Sequence, residues 1–391
     1  LPITHPSMVL LVATGLEVDR LKFEGFDQAV GFVALAGVLP GGDVAEVLVV
    51  ATGFAVLGLV FLAEVAAAGL PAFQGVEKKV WFGIEHGIRG FLVKRDGAER
   101  VYMLTLPPTP DSWQRLGFAL MVFGLGSKLG LAPLYSWLPE TYEAAPTSTS
   151  ALLAAVQFNI SIVAVLRVLQ VFRGQDTGFV LHELLIMGCL SLTVAAVQVM
   201  AARNYKRLIA YACVSSSGVI AIGLSVGKAA AYGVLLYVVS AAFVKALLFL
   251  TAGRLRAVYR TNESAVLSGA VRVLPFSGAL FAVGTFALLG FPPFGSFMAE
   301  MLILSGIVQA GNLIAFTLMC TMLTIIFVAT GRSIFPMLWG QPEQHRLPVR
   351  ESWVTALPKL GFVLALVLLG VYTPAPIHAL LQQVARSIGG Q

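Results

Sequence analysis

Four ionisable side chains stand inside long apolar runs of this 391-residue chain: Glu64 in GLVFLAEVAAAGL, Lys128 in LGFALMVFGLGSKLG, Lys245 in SAAFVKALLFL and Glu300 in SFMAEMLIL. On insertion scales a charge at the centre of a membrane helix costs about 2.5 to 3.5 kcal/mol, so such a group faces a protein interior or a water-filled cavity and has a task there. The order acid, base, base, acid is one that can take up and release protons in sequence. Glu64 and Lys128 can form a switch, because burial disfavours the ammonium form and a neighbouring carboxylate restores it; withdrawing or neutralising Glu64 then favours proton release from Lys128. Lys245 would pass protons toward the second half of the chain, with Glu300 as the terminal group. Asn159, Tyr211, Ser215, Ser216 and Ser217 are the polar side chains available to line a hydrated path.

Two of the four adjoin helix breakers. Gly130 and Pro133 follow Lys128, and Gly290, Pro292, Pro293 and Gly295 precede Glu300. Proline removes a backbone donor, and irregular backbone inside a membrane is tolerated only where protein or water satisfies the freed groups. Broken segments in corresponding positions of two halves are the sequence sign of inverted-topology repeats, with Lys128 and Glu300 as the corresponding positions here. Each residue also has a plainer role to weigh: snorkelling for Lys128, a structural pair for Lys245, an interfacial position for Glu64 and Glu300, helix packing for Asn159. Arg203, Lys206 and Arg207 read as topology anchors.

The elements that must position these groups follow from composition. With 58% hydrophobic and 12% charged residues and a mean hydropathy of +0.86, the chain has too few polar side chains to cover a soluble globule of its size. Apolar runs long enough for membrane helices lie at about 28–40 with 44–72, 115–134, 148–170, 180–201, 208–226, 230–253, 273–290, 296–310, 312–336 and 354–373. The alternation of a membrane β-barrel is nowhere present. The expected fold is an all-α polytopic membrane protein of about 10–13 transmembrane helices in two inverted-topology repeats, broken near Lys128–Pro133 and Gly290–Glu300. Residues 1–27 form a poorly defined N-terminal segment that reads neither as a signal peptide nor as a clear span. Residues 28–345 form the membrane domain, and 346–391 a C-terminal helix and tail. Within the domain, 77–100 is too rich in charge for a lipid-facing span and reads as an interfacial piece or a loop.

Loops 138–147, 202–207 and 254–272 fall on one side, and the last two hold most of the lysine and arginine, so that side is expected to be cytoplasmic in a cell (inner or cytoplasmic) membrane. The net charge of +6 is spread over such loops and points away from nucleic acid. Cys189, Cys213 and Cys320 have no paired spacing, and His86, His182, His345 and His378 are scattered, so no disulfide, metal site or iron–sulfur centre is expected. No dinucleotide fingerprint or nucleophile motif lies in a suitable context. The expectation is a chain without a cofactor and without catalysis of its own.

The same residues carry a resemblance. KLGLAPLYSWLPETYEAAPTSTSALL is similar to the signature of the antiporter-like subunits shared by respiratory complex I, the multi-subunit cation/proton antiporters and the membrane-bound hydrogenases, through Lys128, Gly130, Pro133, Trp137, Leu138, Pro139, Glu140, Ala145, Pro146, Ser150 and Ala151. YKRLIAYACVSSSG, KALLFLTAG and GFPPFGSFMAEMLIL resemble further motifs of that family in the right order. The last of these and FPMLWG look most like the F-type subunit of hydrogenase-4-like complexes, and FLAEVAAAGLPA is similar to its segment bearing the acid that partners the lysine. The resemblance covers roughly residues 60–345. It implies a membrane subunit that moves protons, with sodium as a second candidate ion, driven by redox chemistry in a peripheral arm and assembled with other membrane subunits. Relatives without redox coupling, or a non-pumping structural subunit, are the alternatives it leaves. The chain departs from the family at Tyr135 and Tyr142, where histidines are common, at Asn159, where a lysine or histidine is common, and near Tyr237 and Ala241, where histidines are frequent. Asparagine can hold water but not a proton.

Overall fold

The computed structural model describes residues 112–171, 178–341, 349, 351 and 353–389. Glu64, the N-terminal segment, the apolar runs before residue 112 and the charged segment 77–100 lie outside the described residues.

The described residues form helices joined by short turns, with no strand among them. α1 (Ser112–Leu129) is followed by the short α2 (Trp137–Ala144). α3 (Thr147–Leu152) passes through a π-helical turn at Leu153–Gln157 into α4 (Phe158–Val171). Then come α5 (Gly178–Ala201), α6 (Tyr205–Val226) and α7 (Ala231–Tyr259). A short α8 (Ala270–Val273) leads to α9 (Pro275–Leu288), α10 (Gly295–Gln309) and α11 (Leu313–Trp339). α12 (Trp353–Val371) and α13 (Ala375–Gly389) close the order. Each described helix from α1 to α12 falls within a few residues of an expected apolar run, with three differences. The loop expected at 138–147 contains α2, the loop expected at 254–272 begins only after α7 has run on to Tyr259, and the C-terminal tail is helical in α13.

Among the described residues, five helical stretches are long and apolar enough to cross a membrane: Thr147–Leu166, Gly178–Ala201, Tyr205–Ala229, Ala231–Tyr259 and Leu313–Trp339; Ala356–Val371 with Ala375–Arg386, bent by 68°, makes a sixth candidate. α1, α9 and α10 carry shorter apolar stretches. α6 and α7 are the central pair, since 89% of each span is buried, against 28% for α11, whose side chains are left for lipid or partners. α5 reaches α6 through glycines: a Cβ on Gly188 would stand 2.9 Å from the Gly218 carbonyl oxygen, and one on Gly218 the same distance from that of Gly188. Without a hydrophobic force between helices in lipid, such small-residue contacts let backbones approach and gain dispersion energy.

One helix ending occurs twice. At the end of α1, Leu131 N donates to Gly126 O (2.8 Å) and Gly130 N to Ser127 O (3.1 Å); at the end of α9, Phe291 N donates to Phe286 O (3.1 Å) and Gly290 N to Ala287 O (3.3 Å). Gly130 and Gly290 both take the left-handed conformation, at φ 80° and 66°, as a Schellman ending requires. A constant offset therefore pairs Gly130 with Gly290, Pro133 with Pro293 and Glu140 with Glu300. The expected pairing of Lys128 with Glu300 is thereby corrected: Leu288 stands in the place of Lys128, because the glycine that reverses the chain marks the repeat and the charge does not.

The loops expected on one side do meet at one end of the bundle. Asn204 Nδ2 donates to Glu143 Oε1 (2.7 Å), Tyr205 N to Asn262 O (3.1 Å) and Ser264 N to Arg203 O (2.9 Å). The α1–α2 segment runs toward this end and α9–α10 starts from it, so the two broken elements are antiparallel, as inverted repeats demand.

The glycine contact yields a direct test. Gly218→Leu should lower the thermal unfolding midpoint in detergent by the equivalent of about 1–3 kcal/mol through overpacking. Gly124→Leu, at a position where an added Cβ would meet nothing within 4 Å, should leave the midpoint unchanged.

Candidate functional site

Breaking a helix inside a membrane frees carbonyls and amides that need partners, and the α1–α2 break finds them in side chains. Trp137 Nε1 donates to Ser127 O (2.7 Å), Ser217 Oγ to Leu129 O (2.6 Å), and Ser191 Oγ accepts from Ala132 N (2.8 Å). At the α9–α10 break Ser296 Oγ takes the part of Trp137, donating to Ala287 O at 2.5 Å. Gly130 and Pro133 lie in the first break, Pro292 and Pro293 in the second. Ser217 thus commits its proton to a helix end, while Ser215 and Ser216 both donate to Ala212 O (2.8 and 3.0 Å).

Lys128 sits in the last turn of α1, where its charge complements the helix dipole. Its side chain is exposed on a face that the described helices leave open. Its expected partner, Glu64, lies outside the described residues.

Lys245 is in a different setting. It is fully buried at the middle of α7. Its Nζ has no hydrogen-bond partner among the described residues and stands 3.0 Å from the centroid of the Phe158 ring, a cation–π contact. Phe158 follows the π-helical turn, a feature that re-aims side chains at functional sites. The next residue, Asn159, is half-buried and its Oδ1 is also without a partner among the described residues.

Glu300 is buried on α10, with its carboxyl group packed onto Gly290, where a Cβ would collide with Oε2. Gly290 is therefore required twice, for its backbone conformation and for the room it leaves. The Tyr237 hydroxyl, 3.5 Å from Ser216 Oγ, stands beside the Glu300 carboxyl group. Ser240, one turn further along α7, is buried close to Gly295, with its Oγ unpartnered among the described residues. The structure thus brings Ser216, Tyr237 and Glu300 together across α6, α7 and α10, and Phe158 and Lys245 together across α4 and α7, with Asn159 the next residue along α4.

Tyr211 falls elsewhere, near Arg207, in a charged cluster at the loop end of the bundle. There Arg207 pairs with Glu140 and, at 3.5 Å, with Glu143. Lys206, which the sequence presents as a surface anchor, is fully buried and donates to Glu143 O (3.0 Å) and Ala145 O (2.5 Å), so it closes the C-terminal end of α2. Tyr142 is packed edge-on between Trp137 (6.5 Å) and Phe249 (5.4 Å). Two further groups escaped the sequence reading. Lys359 is buried in α12, and Glu183 on α5 has a buried carboxylate oxygen with no partner among the described residues. Each is a charged residue within an apolar run of the sequence, the signal used for the other four. Among the described residues no three His, Cys, Asp or Glu side chains gather as a metal site would need.

Two antiparallel broken helices around a buried lysine and a buried carboxyl group make this a helical multi-pass membrane protein. The membrane-domain family described as NADH:quinone oxidoreductase/Mrp antiporter, TM matches residues 102–326, and the chain belongs to that family. It is 31% identical over 269 residues to a hydrogenase-4 component F homolog of Methylacidiphilum infernorum, covering 68% of this chain and 55% of that protein. The fold is similar to a chain of the Mrp complex from a Dietzia species (TM-score 0.67, 16% identity, 88% of this chain and 68% of that one). It is also similar to a chain of respiratory complex I from Thermus thermophilus (TM-score 0.65, 23% identity, 93% and 73%). The chain spans about half the length of the curated relatives it matches.

The serine that bridges the first break can be tested separately. Ser217→Ala leaves the buried Leu129 carbonyl without its side-chain donor and should destabilise the protein by about 1–3 kcal/mol. Ser216→Ala, which removes only one of two hydroxyls on Ala212 O, should cost less in the same detergent melts.

Proposed function

We propose that the chain is a proton-translocating, antiporter-like membrane subunit of a redox-driven complex of the hydrogenase-4 or NADH:quinone oxidoreductase kind. The observation that carries this reading is Lys245: a fully buried ammonium group without a hydrogen bond to any described residue. A charge so placed is costly unless it is neutralised or hydrated at some point in a working cycle. Lys206 supplies the contrast, since it is equally buried but satisfied by two carbonyls.

In this reading Lys245 holds a proton against the Phe158 ring and releases it when water reaches Nζ from the side of Asn159. Asparagine can donate to and accept from water, so it supports a wire while the lysine supplies the proton. On the other side Ser216, Tyr237 and Glu300 form the continuation, the tyrosine hydroxyl accepting from one neighbour and donating to the next. Lys128 serves the first half of the path, from the open face of α1, with Glu64 as its partner. Protons are the ion favoured by these groups. The driving redox centres belong to a peripheral arm, and the chain works with other membrane subunits in a cell membrane, its Lys/Arg-rich end in the cytoplasm.

Reconstitution of the complex in liposomes tests the assignment. Lys245→Ala, Glu300→Gln and Lys128→Ala should each reduce electron-transfer-driven proton uptake by about tenfold or more, while uncoupled redox turnover remains measurable. Full proton uptake in the Lys245→Ala variant would remove that residue from the path and favour a structural subunit. Sodium-dependent transport without an electron donor would favour an antiporter without redox coupling.

A further inference from the structure

α7 has 29 residues and is about 43 Å long, well beyond a hydrocarbon core of about 30 Å. Its last turns therefore lie at headgroup level, at the end of the bundle where the loops meet. Arg256 stands in the last turn and Arg260 caps the helix in the left-handed conformation, and both are exposed. Neither guanidinium makes an ion pair or hydrogen bond among the described residues, although acids are close at hand. Glu140 and Glu143 are engaged by Arg207, and Glu143 also by Asn204.

The two arginines line a cleft of about 500 Å³ with Pro146, Thr147, Gly253 and Ala257. Gly253 gives the cleft its shape: a Cβ there would collide with the Thr147 hydroxyl, so the glycine lets the start of α3 lie close against α7. The cleft thus combines two forked donors and a hydroxyl, with Glu263 the nearest acid in sequence, three residues beyond Arg260.

We propose that this cleft binds a phosphate group, either the phosphodiester of an anionic phospholipid headgroup or phosphate free in solution. A planar guanidinium matches phosphate oxygens two at a time, and a basic pocket between helices at the cytoplasmic face is where an anionic headgroup seats. The site stands apart from Lys245 and Glu300 and does not depend on the function assigned to them.

The membrane-extracted protein, placed in nanodiscs, provides the test by native mass spectrometry and thermal unfolding. Three conditions are compared: phosphatidylcholine alone, phosphatidylcholine with phosphatidylglycerol, and phosphatidylcholine with inorganic phosphate. Phosphatidylglycerol should stay bound and raise the unfolding midpoint. The double variant Arg256→Gln/Arg260→Gln should lose about tenfold or more in apparent affinity, whereas Arg272→Gln, an exposed arginine outside the cleft, should behave as the parent. An equal shift with inorganic phosphate alone, lost in the same double variant, assigns the site to the free anion. Undiminished retention of phosphatidylglycerol and an unchanged phosphate response in a double variant that folds normally in phosphatidylcholine would overturn the proposal.

Discussion

In a bilayer an unpaired backbone carbonyl costs several kcal/mol, and the architecture of this protein follows from how it meets that constraint at two helix breaks. A left-handed glycine ends each helix, and a side chain from the next segment covers the carbonyl at the equivalent position, Trp137 at Ser127 and Ser296 at Ala287. Ser217 and Ser191 complete the first break from α6 and α5. The freed backbone groups at the breaks are thus met by protein side chains.

The two buried lysines of α6 and α7 differ in role for the same reason. Lys206 closes a helix end with two carbonyl partners and belongs to the scaffold. Lys245 rests on an aromatic face with no such partner among the described residues, in a span that is buried almost throughout. The cost of leaving it so is what supports the proposed role of Lys245 in proton transfer. The two halves of the repeat diverge in a similar way. Glu140 and Glu300 occupy equivalent positions, yet Glu140 is exposed and paired with Arg207, whereas Glu300 is buried on Gly290 beside Tyr237. One structural position has become a surface latch in one half and a buried acid in the other.

Much of the fold was legible because apolar run length translates directly into membrane helices, and the described spans begin and end close to those runs. α2 was missed: its eight residues WLPETYEA carry two acids and a proline, a polar pattern that reads as loop unless the breaks on either side are known to need a cover. The repeat was visible in the prolines, but its register was hidden, since charges drew the eye to Lys128 and Glu300 while the chain reversal is fixed by Gly130 and Gly290. At the site, burial was readable for Lys245 and Glu300 from the apolar residues around them. The exposure of Lys128 and the burial of Lys206 were not, because a lysine at a helix end can snorkel outward or turn inward to carbonyls, and only tertiary packing decides which. The serines of α6 show the same limit: their hydroxyls were legible as polar, but the carbonyls that claim them come from other turns and another helix.

The proposed proton transfer requires the Lys245 amine to gain and lose a proton within the working cycle. Nitrogen-15 NMR of the side-chain amines in the lysine-labelled complex, with Lys245→Gln used to assign the Lys245 resonance, reads that state directly. The Lys245 signal should be that of an ammonium at rest, convert to the neutral-amine shift, in part or whole, under steady electron transfer, and return when the donor is exhausted. A Lys245 resonance that keeps one protonation state throughout turnover, while protons are still being moved, would contradict the proposed transfer.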